Sequence, residues 1–294
     1  MIRMTLALAA LLAGAASAQG PAQGLGGLSS ALKAAKGLPQ APPAPAPPPV
    51  CAGPGLQPAR IGTGERLLFR LDVLGAEIGT FEMRVQPSRG ADRARGAVVV
   101  EARGKSSDLV STNVRRIEGR SSALIAADGR AVRYREELDE GDVHRSQEVD
   151  FPARDGNLSV RAAKNGDPDE VALGAGPEAR DLLSGLFVLR RQPLTAGGEL
   201  CAEIYAARRM WRVEGKVAAA PENVETPLGR LEAVRIDAVA TRLDDAGVVR
   251  KAHVWITTDE RRLPIAILGE VRGRYIRAQL AEAKVVRPRR TARR

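Results

Sequence analysis

Apolar and polar residues alternate along most of this chain with a period of two, and no other feature constrains its fold as much. Leu67, Phe69, Leu71 and Val73 fall on one side of the backbone, with Leu68, Arg70 and Asp72 on the other. Phe81, Met83 and Val85 then alternate with Glu82, Arg84 and Gln86, across a turn near Gly75 and Gly79. Successive side chains of a strand point to opposite faces, so the pattern predicts half-buried β-strands. Further strands are expected at 97–102, 115–126, 131–138, 143–151 and 158–163, and again at 199–206, 211–217, 231–243, 248–257, 263–271 and 275–285. Gly90, Asp128-Gly129, Gly141-Asp142 and Asp155-Gly156 punctuate them as turns. One segment departs from the pattern. After Pro177-Glu178, Leu182, Leu183, Leu186, Phe187 and Leu189 recur at helical spacing and stop near Arg190-Arg191, before Pro193. The expected fold is mainly β: an antiparallel curved sheet or partly open β-barrel with one short helix near 178–191. Aromatic residues make up only 3% of the chain, so the core must be built from Val, Leu, Ile and Ala.

The ends read differently. Arg3, the apolar stretch Leu6 to Leu12 and the small residues Ala16-Ser17-Ala18 have the order of a secretory signal, cleaved after Ala18. The apolar stretch is too short to span a bilayer core of about 30 Å. No cysteine follows the cut to carry a lipid anchor, and no later segment is apolar enough to span a membrane. Residues 19–54 read as a linker. Leu25, Leu28 and Leu32 lie at helix-like spacing in a Gly/Ala-rich spacer, and LPQAPPAPAPPPVCAGP at 38–54 has the composition of a semi-rigid polyproline segment. A single β-rich domain is expected over 55–286, followed by a basic disordered tail over 287–294.

The net charge of +10 belongs mostly to those ends. All 35 acidic residues lie within 55–286, which is close to charge balance, while Arg287, Arg289, Arg290, Arg293 and Arg294 crowd the tail. A nucleic-acid-binding groove is therefore not expected. The arginine tail could instead meet an anionic envelope surface by charge alone, or be an ordinary solvated terminus. Cys51 and Cys201 are the only cysteines. An oxidising compartment favours a bridge between them; the alternative is two separate thiols with Cys201 buried in a strand.

Four segments carry a family resemblance: GERLLFRLDVLGAEIGTFEMRV at Gly64–Val85, DLLSGLFVLRRQPLTAGGEL at Asp181–Leu200, TPLGRLEAVRID at Thr226–Asp237 and VWITTDERRLPIAI at Val254–Ile267. In this order they resemble the bacterial domain-of-unknown-function family 3108, a group of exported envelope proteins. The resemblance implies an antiparallel curved sheet or barrel and supplies no catalytic residues. The proline-rich segment, the cysteine pair and the arginine tail depart from the family pattern.

Catalytic and cofactor signals are weak. His144 and His253 are the only histidines and lack zinc-ligand spacing. Ser184-Gly185 sits in a helical pattern rather than a nucleophile elbow, and Gly104-Lys105-Ser106 lacks the first glycine of a phosphate loop. The acidic run Glu136, Glu137, Asp139, Glu140 and Asp142 straddles a hairpin turn without the ligand order of a calcium loop. No cofactor is expected. The reading is an exported periplasmic protein, non-enzymatic, that binds or carries a hydrophobic, lipid-like ligand or docks an envelope protein. Phe69, Leu71, Phe81, Met83, Tyr134 and Trp255 are the residues expected to line such a ligand. The competing reading is an envelope hydrolase or carbohydrate-active enzyme, with acids such as Glu136 or Asp237 drawn into a cleft.

Overall fold

A computed structural model describes Cys51 and residues 61–285, apart from 153–155, 169–170, 177 and 272–273. The signal segment, most of the proline-rich linker and the arginine tail lie outside the described residues. The first half comprises β1 (Glu65–Val73), β2 (Ala76–Pro87), α1 (Gly90–Ala94), β3 (Val98–Ser106), α2 (Asp108–Asn113), β4 (Ile117–Ile125), β5 (Ala131–Glu140), β6 (Val143–Asp150), β7 (Gly156–Lys164), β8 (Asp167–Pro168) and β9 (Val171–Ala175). The second comprises β10 (Arg180–Asp181), α3 (Leu182–Leu189), β11 (Glu199–Ala206), β12 (Arg209–Val217), β13 (Glu222–Thr226), β14 (Gly229–Arg242), β15 (Asp245–Thr257), β16 (Pro264–Val271) and β17 (Arg274–Val285).

All of these strands belong to one sheet. Its pairings are antiparallel except for the short parallel contact of β10 with β11. The two meanders join at β1, which pairs with β2 on one side and β17 on the other, so that Phe69 faces both Phe81 and Leu280. The expected alternation is present: Leu67, Phe69 and Leu71 of β1 and Phe81, Met83 and Val85 of β2 are buried, while Arg70 and Arg84 point outward. The sheet curves but its ladder does not close: it runs from β9 through β1 to β10. The barrel-like expectation therefore holds in its open form.

Local chemistry sets the register. Leu74 and Gly75 both have positive φ (53° and 86°) between the paired Val73 and Ala76, a two-residue turn whose twist suits a hairpin. At Gly79 a Cβ would stand 2.4 Å from the carbonyl oxygen of Lys105, so β2 and β3 meet there only because the side chain is missing.

The expected helix is α3, shorter than its sequence pattern. Asp181 caps it, its carboxylate accepting from the backbone N–H groups of Leu183 (2.9 Å) and Ser184 (3.0 Å) and from the Ser184 hydroxyl (2.5 Å). Leu183 and Phe187 join the main core, and the helix packs against β3 and β4 as well as β11, between the two arms of the sheet. Its C-terminal end is fixed by Arg190, which is fully buried. The guanidinium forks onto Glu65 at the start of β1 (2.5 and 2.8 Å) and donates to the carbonyls of Arg261 and Arg262 (2.8 Å each). The helices α1 and α2 and the strands β9 and β13 fall where no element was expected.

Candidate functional site

An apolar cleft of about 190 Å³ opens between α3 and the strands β11, β12, β14, β15 and β16. Leu182, Leu186 and Leu189 of α3 form one wall. Opposite them, small residues alternate with large ones: Ala202, Gly215, Ala238, Ala240 and Ala252 leave the space, and Ile204, Val213, Ile236 and Val254 bound it. Cross-strand register lines these residues up, with Ala202 opposite Val213, Val213 opposite Ala240 and Ala238 opposite Ala252. Gly185 lets the helix approach β11, since a Cβ there would lie 2.8 Å from the end of the Ile204 side chain. Cys201 lies in the same wall, and its Cα is 5.2 Å from that of Cys51, a disulfide distance.

The residues expected to line a ligand are elsewhere. Phe69, Leu71, Phe81, Met83 and Tyr134 are buried in the main core, with the Phe69 and Phe81 rings 6.0 Å apart. Trp255 is half-buried beside His253 and donates its indole N–H to Glu222. None of the six lines the cleft. Alternation identified the buried face correctly, but large side chains on that face fill space, whereas the cleft forms where alanine and glycine leave it open. The signal that could have found it was Ile236-x-Ala238-x-Ala240 together with Ala252, a run of small inward positions on neighbouring strands.

A second polar cluster sits inside, where the arms of the sheet meet without pairing. Tyr205 of β11 donates to Gln147 of β6 (2.7 Å), and Gln147 donates in turn to Glu136 of β5. Tyr134 hydrogen-bonds to Glu136 as well, and Asp181 lies close enough for its charge to be felt. Burial pushes the Glu136 carboxyl above its ordinary range, and the neighbouring Asp181 charge adds to the effect. Burial also pushes Asp181 from 3.8 up to about 6, against the hydrogen bonds of its cap. Between those values the unfolded chain releases this proton while the folded chain holds it, so stability falls as pH rises from about 4 to 6 and the loss is complete above that. A shift of this size corresponds to about 3 kcal/mol. Asn keeps the cap and cannot ionise. Asp181→Asn is therefore expected to match the wild type most closely near pH 4 and to gain on it by about 2–3 kcal/mol at pH 7 in urea unfolding. A difference independent of pH would show that Asp181 is not the titrating group.

The acids considered for catalysis do not converge. Alternation sends Glu136 and Glu140 inward and turns Glu137 and Asp139 outward, where they meet Arg120 and His144. Asp237 pairs with His253 (2.6 Å) and Arg235 (3.0 Å) on the opposite side of β14 from the cleft. Burial opposes the ionisation of Asp237, but the His253 hydrogen bond and the Arg235 charge hold its carboxyl below the usual range. Neither Glu136, Asp181 nor Asp237 lines the cleft. Among the described residues no group of three His, Cys, Asp or Glu side chains is placed to hold a metal, and no helix is long and apolar enough to cross a membrane.

Residues 68–272 match the family model described as "Protein of unknown function (DUF3108)". Comparison with curated proteins gives no match. Among solved structures, a beta-barrel-like protein of domain of unknown function DUF1849 from Brucella abortus aligns with a TM-score of 0.53 at 10% identity, over 79% of this chain and all of that one. A "putative exported protein with YmcC-like fold" from Bacteroides fragilis aligns at 0.33 and 10% identity, over 78% of this chain and 99% of that one. A "putative lipoprotein" from Parabacteroides distasonis aligns at 0.35 and 9% identity, over 79% and 100%. At these identities the first likeness bears on fold alone, and it agrees with an open, barrel-like sheet.

Proposed function

The chain belongs to the DUF3108 family, and from that premise we propose that it is an exported, non-enzymatic carrier that holds a hydrophobic, lipid-like molecule in the cleft between α3 and β11–β16. The observation that carries the reading is the lining. Nearly every residue around the cleft is aliphatic, and the space is set by alanines and glycines rather than by a packing fault. Dry apolar cavities of about 150 Å³ take up small apolar molecules in other proteins, and largely apolar concavities with few polar groups are the usual form of a ligand site. The signal-like start, Met1 to Ala18, and the paired cysteines support export to an oxidising envelope compartment. The arginines from Arg287 onward would then add attraction to an anionic envelope surface.

The test is to fill the cleft. Ala252 lines it from β15, and Ala252→Phe adds a ring where the alanine leaves room. The wild type is expected to bind a neutral apolar dye such as N-phenyl-1-naphthylamine saturably at one site. The variant should lose that binding at least tenfold while unfolding at the same or higher urea concentration, because the added apolar surface is buried. Equal dye binding by both proteins would place the bound molecule elsewhere and remove the reading.

A further inference from the structure

The strands β3, β1, β16 and β14 all end at the same side of the sheet, where the chain turns back into β4, β2, β17 and β15. Each of these four neighbouring connections exposes a large apolar side chain. Leu74, between β1 and β2, is 100% exposed, and Leu109 and Val114, in and after α2, are 61% exposed each. Tyr275, beside the β16–β17 connection, and Leu243, between β14 and β15, are 46% and 45% exposed. The next connections along that end are small or polar: Gly141-Asp142 beyond β4 and Ala207-Arg208 beyond β14. At the other end the exposed apolar side chains among the described residues, such as Leu228 between β13 and β14, do not occupy neighbouring connections. Leu74 is the most telling. Its φ of 53° is the left-handed conformation that a hairpin turn usually gives to asparagine or glycine. Neither the backbone nor water favours leucine there, so its presence points to a surface that covers it. The α2 tip is held beside it, with the Ser107 N–H donating to the Ile78 carbonyl (2.9 Å) and the Ser107 hydroxyl to the Glu77 carbonyl (3.1 Å).

Successive connections on one end of a sheet lie two strand spacings apart, about 10 Å. A protein partner needs a continuous, closely packed patch. Side chains on separate tips about 10 Å apart do not make one, whereas fluid lipid head groups can close around each tip. Tyrosine, with an apolar ring and a polar end, suits the boundary between head groups and acyl chains. We propose that this rim docks on the surface of a lipid bilayer, with Leu74, Leu109, Val114, Leu243 and Tyr275 dipping into the head-group region. The attraction is apolar and needs no lipid charge. It is also separate from the arginine tail, because β17 carries the chain away from the rim, from Tyr275 to Val285, before Arg287 is reached. The inference goes beyond the carrier reading and stands on the rim, whatever the cleft holds. The two are compatible in place: Ala240, in the cleft lining, lies three residues before Leu243 on β14.

The test is flotation of the mature chain, from Gln19 onward, with neutral phosphatidylcholine vesicles in high salt, which screens the arginine tail. The wild type is expected to float with the vesicles. Leu74→Asn should weaken that partitioning at least tenfold, because a fully exposed leucine loses its whole apolar gain. The same variant should unfold at an equal or higher urea concentration, since asparagine accepts the turn's positive φ more readily than leucine. A loss of binding therefore cannot be put down to misfolding. Leu109→Gln, on the next connection, should also weaken binding, and Leu228→Asn, at the other end, should leave it unchanged. A wild type that stays off neutral vesicles would overturn the proposal, as would binding that needs anionic lipid and disappears in high salt. Equal losses from Leu74→Asn and Leu228→Asn would overturn it too, because no one end would then face the lipid. So would self-association of the wild type without vesicles that Leu74→Asn abolishes, which would make a second copy the occupant of the rim.

Discussion

Cys201→Ser is expected to lower the stability of the protein by up to about 5 kcal/mol, because a bridge from Cys201 to Cys51 would close a very long loop. Cys51 and Cys201 are 150 residues apart in sequence, with Cα atoms 5.2 Å apart. The loop between them contains the whole first arm of the sheet and α3. Untying it returns that conformational freedom to the unfolded chain. The folded state has little to replace the tie. On the side of β11 away from β12, only Ile204 and Tyr205 are paired among the described residues, with the two residues of β10. Urea unfolding with and without a reductant makes the check. Reductant should bring the wild type down to the level of the variant and leave the variant unchanged. A wild type indifferent to reductant, with two thiols that react before any reduction, would mean the cysteines are not bridged.

Arg190→Met is expected to cost about 3–5 kcal/mol, because removing one member of a buried ion pair leaves the other charged and unpaired. Here the loss is compounded. Glu65 would lose both hydrogen bonds of the fork, and the carbonyls of Arg261 and Arg262 would lose theirs. Arg190→Lys should recover only part of the stability, since an ammonium cannot match the planar fork that reaches the carboxylate and two carbonyls together. The double replacement Arg190→Met with Glu65→Leu should be much less harmful than the sum of its parts, because apolar pairs often substitute for buried ion pairs. A double-mutant cycle in urea reads this coupling directly. Additive losses would show that Arg190 and Glu65 do not act as a unit, and that α3 is anchored by some other contact.

The contrast between Phe69 and Ala238 shows what can be read in such a chain. Strand alternation is local, so Leu67, Phe69, Phe81 and Met83 announce an inward face from a few residues of sequence. The helix is equally local: the leucine spacing, the Asp181 cap and the stop before Pro193 all lie within one segment. The cleft is not local. Its alanines come from β11, β14 and β15, and a single inward alanine looks the same whether a neighbour fills the space or not. The buried pair of Arg190 is not local either, since its partner Glu65 lies 125 residues away. The polar cluster of Tyr134, Glu136, Gln147 and Tyr205 joins β5, β6 and β11 where the ladder is open, so its members share no sequence neighbourhood. The short elements α1, α2, β9 and β13 carry too few residues for periodicity to register.

The central claim is that the space between α3 and β11–β16 accepts an apolar molecule while the main core stays filled. Methyl NMR spectra recorded as 1-decanol is titrated in would test it most directly. The account predicts saturable shifts in the methyls of Leu182, Leu189, Val213, Ile236 and Val254, which line the cleft, with those of Leu67, Val85, Val100 and Val149 in the core unmoved. Shifts confined to the core methyls, or none at saturating ligand, would contradict it.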